Sequence, residues 1–339
     1  MRITREALLK LSHDTAAERV RINRRIICVY LTGSLLHENP LLGGAGDIDL
    51  FLIHDSQPAA EREVVPLSEE IHLDIAHLSQ DVFRQPRQMR TDPWISPFIT
   101  THPLVYHDTQ HWFEFTQAAI TSQFNTPTNV LQRARRLVEA SRRDWLEAGA
   151  GPAYAGGSAC SPQQVWKFLK AVEHAGNAIA TLTGSPLAER RFLLDFPQRA
   201  MELGRPELSA GLLELVSPET VEEDAWQSWQ PAWKDTLQSA SRTVDCPPRL
   251  LPARLAYYQR AAAFLRDQHP AAALWILLRV WTLSACLLPG DDPHQQPWLN
   301  AIQSLSLDMA GFRQRLASLD GYLDSVEETL DDWARQMGA

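Results

Sequence analysis

The chain has 339 residues, 45% hydrophobic and 22% charged, a composition typical of a folded globular protein of about two domains. Its formal net charge of −9 at pH 7 disfavours a long polynucleotide partner, because basic side chains that neutralise phosphates supply most of the affinity for nucleic acid. A local basic groove remains compatible with this charge, and overall acidity favours a small or cationic partner.

Apolar residues recur at helical spacing over residues 3–20 and predict a first helix. Residues 26–31 are rich in β-branched side chains and predict a buried strand, which ends at a Gly-Ser pair. A glycine-containing loop follows, and further strands are predicted at residues 49–53, 71–78 and 104–106. The segment from residue 1 to 110 is therefore predicted to form an α/β domain.

After residue 110 the sequence has few short runs of β-branched residues that would indicate strands, and long amphipathic segments typical of helices follow instead. Thr126-Pro127 and Ser161-Pro162 each place a capping residue before a proline, which is typical of a helix start. The predicted helices cover residues 127–148, 161–183, 186–203, 218–243, 249–268, 271–288 and 307–336. Residues 111–339 are thus predicted as an all-helical C-terminal domain, and the predicted fold class is α+β.

Residues 271–288 are apolar over about the minimum length that spans a bilayer. Arg279 lies at the centre of this segment, and a central arginine is costly in lipid, so we predict a buried bundle helix and no membrane partner. The N-terminus lacks the continuous apolar segment of a signal peptide, and the four cysteines lack the spacing of a zinc or redox motif. Together these features predict a cytoplasmic protein.

The residues that indicate chemistry begin at Gly33 and Ser34 and continue, after a further twelve residues, at Asp47 and Asp49. Because strand side chains alternate, Asp47 and Asp49 are expected on one face, about 6.6 Å apart along the strand. Two neighbouring carboxylates repel each other unless a cation binds between them, and oxygen ligands favour Mg²⁺. Asp74 lies on the next predicted strand and can join them. The three aspartates predict a catalytic site holding two Mg²⁺ ions for phosphoryl or nucleotidyl transfer.

The Gly-Ser pair predicts a phosphate contact beside these ligands. Gly33 permits a sharp turn that exposes backbone N–H groups, and Ser34 offers a hydroxyl to a phosphate oxygen. A helix that begins there would add its positive end. On the predicted helix 161–183, Lys167 and Lys170 are further candidates for binding the triphosphate. A solvated helix face is the competing interpretation of these two lysines.

The stretch from residue 26 to 80 resembles the signature of polymerase-β-like nucleotidyltransferases: Gly-Ser, then Asp-x-Asp, then a third Asp on a later strand. The resemblance implies a small α/β domain with a mixed sheet of about four to five strands flanked by helices. It also implies that Asp47, Asp49 and Asp74 ligate magnesium and that Gly33 and Ser34 bind the β- and γ-phosphates. Gly46 differs from the family pattern, in which a serine commonly precedes the first aspartate.

An α/β domain followed by helices resembles the antibiotic-modifying nucleotidyltransferases. The expected activity is Mg²⁺-dependent transfer of a nucleoside monophosphate from a nucleoside triphosphate, with ATP as the expected donor. The expected acceptor is a hydroxyl of a small molecule, such as an aminoglycoside-like antibiotic. Two alternatives stay open: a toxin-like or regulatory enzyme that modifies tRNA or protein, and an inactive nucleotide-binding module. A homodimer also stays open.

Overall fold

The computed structural model describes residues 4–150, 160–216, 221–307 and 309–339. The protein is α+β, as predicted, and divides into two compact units, Met1–Asn129 and Val130–Ala339. All strands of the described residues lie in the first unit, and the regular elements described in the second unit are helices.

The first unit is built on one mixed sheet, in the strand order β3-β4-β2-β1-β5. Strands β2 and β4 are parallel, while the other neighbouring pairs are antiparallel. Its elements in chain order are α1 (Arg5–Ile22), β1 (Ile26–Thr32), β2 (Gly46–His54), β3 (Arg62–Pro66), β4 (Ile71–Ser79), α2 (Pro86–Arg90), α3 (Ser96–Thr100), β5 (Leu104–Asp108) and α4 (Trp112–Phe124).

The predicted first helix and the four predicted strands are confirmed, with different ends. Strand β2 begins three residues before its predicted start at Asp49, so Asp47 lies within the strand. Strand β3 was not predicted, because Val64 and Val65 are its only β-branched residues and charged residues precede them. This strand forms the edge of the sheet and pairs only with β4 among the described elements.

Each face of the sheet packs against helices of the same unit. On one face Ile48, Leu50 and Leu52 of β2 pack in a cluster that includes Leu8 and Ala16 of α1. On the other face the sheet contributes residues to a cluster with α2, α3 and α4, and its buried members are Cys28, Tyr30, Ile53, Phe83, Met89, Ile99, Phe113, Ile120 and Phe124. Burial of these apolar side chains on both faces gives the unit its own core.

The boundary between the units falls after Asn129, whereas the strand signals placed it near residue 110. The difference arises from α4, which is helical but buries Phe113, Ile120 and Phe124 in the core of the first unit. The sequence pattern predicted no helix at residues 112–124, and these residues were placed in the second domain only because the strand signals end near residue 110.

The second unit contains long helices in the positions that the amphipathic segments predicted, with several differences in detail. Proline residues interrupt the start of predicted helix 249–268, which becomes two short 3₁₀ turns before α10. Helices α8 and α12 were not predicted, and positions 218–220 and 308 of two predicted helices lie outside the described residues. The helices are α5 (Pro127–Ala150), α6 (Pro162–Ala180), α7 (Phe192–Glu202), α8 (Glu207–Val216), α9 (Glu223–Ala240), α10 (Leu255–Leu265), α11 (Pro270–Cys286), α12 (Gln295–Ser304) and α13 (Met309–Met337).

The apolar helix α11 lies in the core of the second unit, as predicted. Arg279 at its centre is only 2% exposed. Its guanidinium donates a hydrogen bond to Glu173 at 2.6 Å and stacks over the ring of Trp166, 4.1 Å from its centroid. A buried charge is tolerated when it is paired in this way. None of the described helices combines the length and apolarity needed to cross a bilayer.

Candidate metal centre

The registers of three neighbouring strands bring the candidate ligands together. Asp49 on β2 pairs with Thr32 at the end of β1 and, on its other side, with Asp74 on β4. Along β2 the buried residues alternate with the partly exposed Asp47 and Asp49, so these two aspartates share one face of the sheet. Because neighbouring strands lie about 4.8 Å apart, this pairing places Asp74 beside Asp49.

The three carboxylates converge as expected. One oxygen from each of Asp47, Asp49 and Asp74 lies within 4.8 Å of the other two. Asp74 is 3% exposed, and the other two are partly buried. Three like charges at this separation repel each other in a partly buried site, and a divalent cation would offset that repulsion. Three carboxylate oxygens form a donor set that suits a hard cation such as Mg²⁺.

Gly33 lies directly against one of these carboxylates. Its backbone has a φ of 80°, which strains residues with a side chain. A Cβ added at this position would lie 2.0 Å from Oδ2 of Asp49. Glycine is therefore required both for the turn that ends β1 and for the position of the Asp49 carboxylate.

Ser34 follows at the first position of a 3₁₀ turn, Ser34–Leu36. Its Oγ is buried and has no hydrogen-bond partner among the described residues. A buried hydroxyl without a partner is costly, and a phosphate oxygen could supply that partner. The expected helix after the Gly-Ser pair is replaced by this single turn, so a helix dipole does not contribute here.

The loop between Ser34 and Asp47 contains a tight turn just before Gly46, the position that differs from the nucleotidyltransferase signature. Leu42 and Ala45 form backbone hydrogen bonds with each other across Gly43 and Gly44, both of which have positive φ. This turn is preceded by Leu41, whose Cδ2 would lie 2.7 Å from a Cβ at position 46. A side chain at position 46, such as the serine of the family pattern, would therefore require the end of the Leu41 side chain to move.

Arg62 is a residue of this site that the sequence did not reveal. It lies on the edge strand β3, and its Nε and Nη2 donate hydrogen bonds to Oδ1 and Oδ2 of Asp74 at 2.6 and 2.7 Å. The Arg62 side chain is 50% exposed, whereas that of Asp74 is 3% exposed. The only sequence signal was the adjacent β-branched pair Val64 and Val65, which did not distinguish a strand from a loop.

Lys167 and Lys170 lie on α6 in the second unit, where they contact acidic residues of α5. Lys167 Nζ is 3.1 Å from Asp144 and 2.5 Å from Glu147, and Lys170 Nζ is 3.6 Å from Asp144. Burial raises the pKa of Asp144, but the close approach of His174 and the hydrogen bond from Lys167 outweigh this effect and lower the pKa to about 2. The structure gives these lysines ion-pair partners within their own unit, and their role in binding the triphosphate stays a prediction.

A search against models of known protein families found no match, and no curated protein matches the chain either. The resemblance to nucleotidyltransferases therefore depends on the residues of the site itself. Those residues are the Gly-Ser pair, the two aspartates of β2 and the aspartate of β4.

Proposed function

We propose that the protein is a Mg²⁺-dependent nucleotidyltransferase. The observation that carries this proposal is the convergence of Asp47, Asp49 and Asp74, with one oxygen from each within 4.8 Å of the others, beside the glycine that ends β1. The Ser34 hydroxyl adds a second observation, because it directly follows Gly33 in the chain and is buried with no hydrogen-bond partner among the described residues. Together these groups resemble a site for a metal-bound triphosphate.

The donor set fits two Mg²⁺ ions, held by Asp47 and Asp49 with Asp74 completing the site. When bound, such ions neutralise charge on phosphate oxygens and favour in-line displacement at phosphorus. The protein itself orients the triphosphate through the backbone at Gly33 and the hydroxyl of Ser34. The oxygen of an acceptor hydroxyl would form a bond to the α-phosphorus as the bond from that phosphorus to the β-bridging oxygen breaks. Pyrophosphate would leave, the hydroxyl proton would be released to solvent, and the nucleoside monophosphate would remain on the acceptor.

The net charge of −9 supports a small, cationic acceptor rather than RNA, because an acidic protein attracts cations and repels polyanions. We propose ATP as the donor and an aminoglycoside-like molecule as the acceptor class. We also propose that the enzyme acts in the cytoplasm, where the thiols of its four cysteines would remain reduced.

The activity is tested by incubating the protein with each labelled nucleoside triphosphate and Mg²⁺ against a panel of aminoglycosides, lincosamides, tRNA and proteins. We expect a small-molecule acceptor to gain the mass of one nucleoside monophosphate as pyrophosphate is released. Modification of tRNA or protein would replace the proposed acceptor class. Mg²⁺-dependent nucleotide binding without pyrophosphate release would indicate a binding module and contradict the proposed activity.

The metal ligands are tested by replacing Asp47 or Asp49 with Asn in the full chain. Each variant should lose at least about 100-fold in transfer rate while keeping the wild-type fold, because metal-ion catalysis supplies several kcal/mol of transition-state stabilisation. Asp55→Asn is a matched control, since Asp55 directly follows β2 at its opposite end and is 48% exposed. Full activity of both Asn variants would rule out this mechanism.

A further inference from the structure

We propose that Arg62 is a positioning residue of the metal centre. Its guanidinium holds the Asp74 carboxylate in the orientation that brings one oxygen near those of Asp47 and Asp49. The inference rests on the proposed function, because it concerns how the third ligand of that site is oriented. It assigns a role to β3, the edge strand whose presence the sequence did not predict.

The contact between Arg62 and Asp74 has the geometry of a two-point clamp. Two guanidinium nitrogens donate to the two carboxylate oxygens at 2.6 and 2.7 Å, which fixes the plane of the carboxylate as well as its position. A carboxylate has about four lone-pair sites, and these two hydrogen bonds use one site on each oxygen. The clamp therefore does not prevent Asp74 from acting as a metal ligand.

The structure shows the clamp and the convergence of the ligands at the same time. One Asp74 oxygen is within 4.8 Å of oxygens of Asp47 and Asp49 while both hydrogen bonds to Arg62 are present. Arg62 consequently does not have to move away to produce the arrangement of ligands. This coexistence favours a positioning role over a role in which Arg62 competes with the cation.

The sheet register explains how an arginine on the edge strand reaches this carboxylate. The residue paired with Asp74 on β3 is Val64, and Arg62 lies two residues away, paired with Ala76. Side chains two residues apart on a strand share a face, so Arg62 and Asp74 are diagonal neighbours. Ala76 has a small side chain, which leaves space for the arginine to lie along β4 toward Asp74.

Loss of Arg62 would have two opposing effects on cation binding. Its positive charge repels a divalent cation, so removal would strengthen binding, but solvent screens this repulsion because the side chain is half exposed. Its two hydrogen bonds orient a ligand, and removal of such a contact typically weakens metal binding by about 10- to 100-fold. We expect the effect on orientation to dominate. Weaker cation binding without Arg62 would therefore indicate a positioning role, and tighter binding would indicate that Arg62 mainly repels the cation.

The test measures Mn²⁺ binding to the full chain without nucleotide, by electron paramagnetic resonance of the free ion. Arg62→Ala should weaken binding by about 10- to 100-fold. Arg62→Lys should also weaken it, because lysine keeps the charge but cannot form two parallel hydrogen bonds. Arg84→Ala is the matched control and should bind like wild type, since Arg84 is 72% exposed and contacts only the exposed Asp81 among the ion pairs of the described residues.

Unchanged or tighter Mn²⁺ binding by a folded Arg62→Ala variant would overturn the inference. Wild-type affinity in Arg62→Lys would also overturn it, because charge rather than orientation would then be sufficient. If circular dichroism shows that Arg62→Ala is unfolded, Mn²⁺ binding by Arg62→Lys is the test: weaker binding than wild type supports the inference, and wild-type binding overturns it. Absence of Mn²⁺ binding by wild type would instead refute the proposed function, so the two failures are distinguishable.

Discussion

At the scale of single residues, Gly33 affects both the backbone turn after β1 and the position of a neighbouring candidate metal ligand, Asp49. Its φ of 80° disfavours other residues, and the space that a Cβ would occupy is filled by Oδ2 of Asp49. A methyl group at 33 must therefore displace the carboxylate or the strand end. The position of the candidate metal ligand Asp49 thus depends on a neighbouring residue that has no side chain.

Gly33→Ala is accordingly expected to lose most of its Mn²⁺ binding. Gly44→Ala is a close control. Gly44 also has a positive φ, +77°, but a Cβ added at position 44 would meet no atom within 4 Å. Both variants should be destabilised by about 1–2 kcal/mol through their positive φ, as measured by urea unfolding. Only Gly33→Ala should bind Mn²⁺ more weakly, and equal Mn²⁺ affinity of the two variants would contradict the steric argument.

At the scale of elements, the parallel pairing of β2 and β4 positions groups at both ends of these strands. One end carries the three aspartates, and the other end carries His54 and His77, whose Nε2 and Nδ1 are 3.0 Å apart. Burial lowers the pKa of both histidines, and the proximity of His77 lowers that of His54 further. Glu63 opposes the shift at His77 but does not reverse it.

This histidine pair should make the protein less stable in mild acid. An unfolded histidine has a pKa of about 6.5, so below that pH the unfolded chain binds more protons than the native state. The neutral histidine pair makes its full contribution to the free energy of unfolding above about pH 6.5. That contribution is lost as the pH falls toward the lowered native pKa values. Urea midpoints at about pH 7.5 should therefore exceed those at about pH 5.5.

His54→Gln should reduce this pH dependence, because it removes one of the two buried rings. His13→Gln serves as a control, since the His13 side chain is 62% exposed on α1. If the urea midpoints of wild type and His54→Gln fall by the same amount between about pH 7.5 and about pH 5.5, the His54–His77 pair does not cause the pH dependence of stability.

At the scale of the whole molecule, all the residues of the candidate metal centre belong to the first compact unit. Asp47, Asp49, Asp74, Gly33 and Arg62 lie within Met1–Asn129. The sheet of this unit has helices of the same unit in the apolar clusters on both of its faces. A unit with its own core and its own ligands should not require the second unit in order to bind a cation.

We therefore expect a fragment of residues 1–129 to fold and to bind Mn²⁺ with an affinity of the same order as the full chain. Circular dichroism with a cooperative thermal transition measures folding, and electron paramagnetic resonance measures Mn²⁺ binding. The same fragment with Asp49→Asn is the control and should lose binding. A folded fragment with no affinity for Mn²⁺, or one without a cooperative transition, would contradict the autonomy of this unit.

The candidate ligands could be predicted from the sequence because their signals are local. Alternation along a strand places Asp47 and Asp49 on one face, and a Gly-Ser pair marks the end of the preceding strand. The same periodic patterns predicted the first helix, four of the strands and most of the long helices. The central Arg279 similarly indicates from the sequence that α11 is a bundle helix, and its hydrogen bond to Glu173 agrees with this.

Only the tertiary structure decided which strands are neighbours, because pairing joins residues that are distant in the chain. It showed that Asp74 pairs with Asp49, that β3 forms the sheet edge and that Arg62 clamps Asp74. It also assigned α4 to the first unit, since helix periodicity does not indicate which core an apolar face will join. Sequence patterns thus determined the kinds of elements and ligands, whereas long-range packing determined their partners.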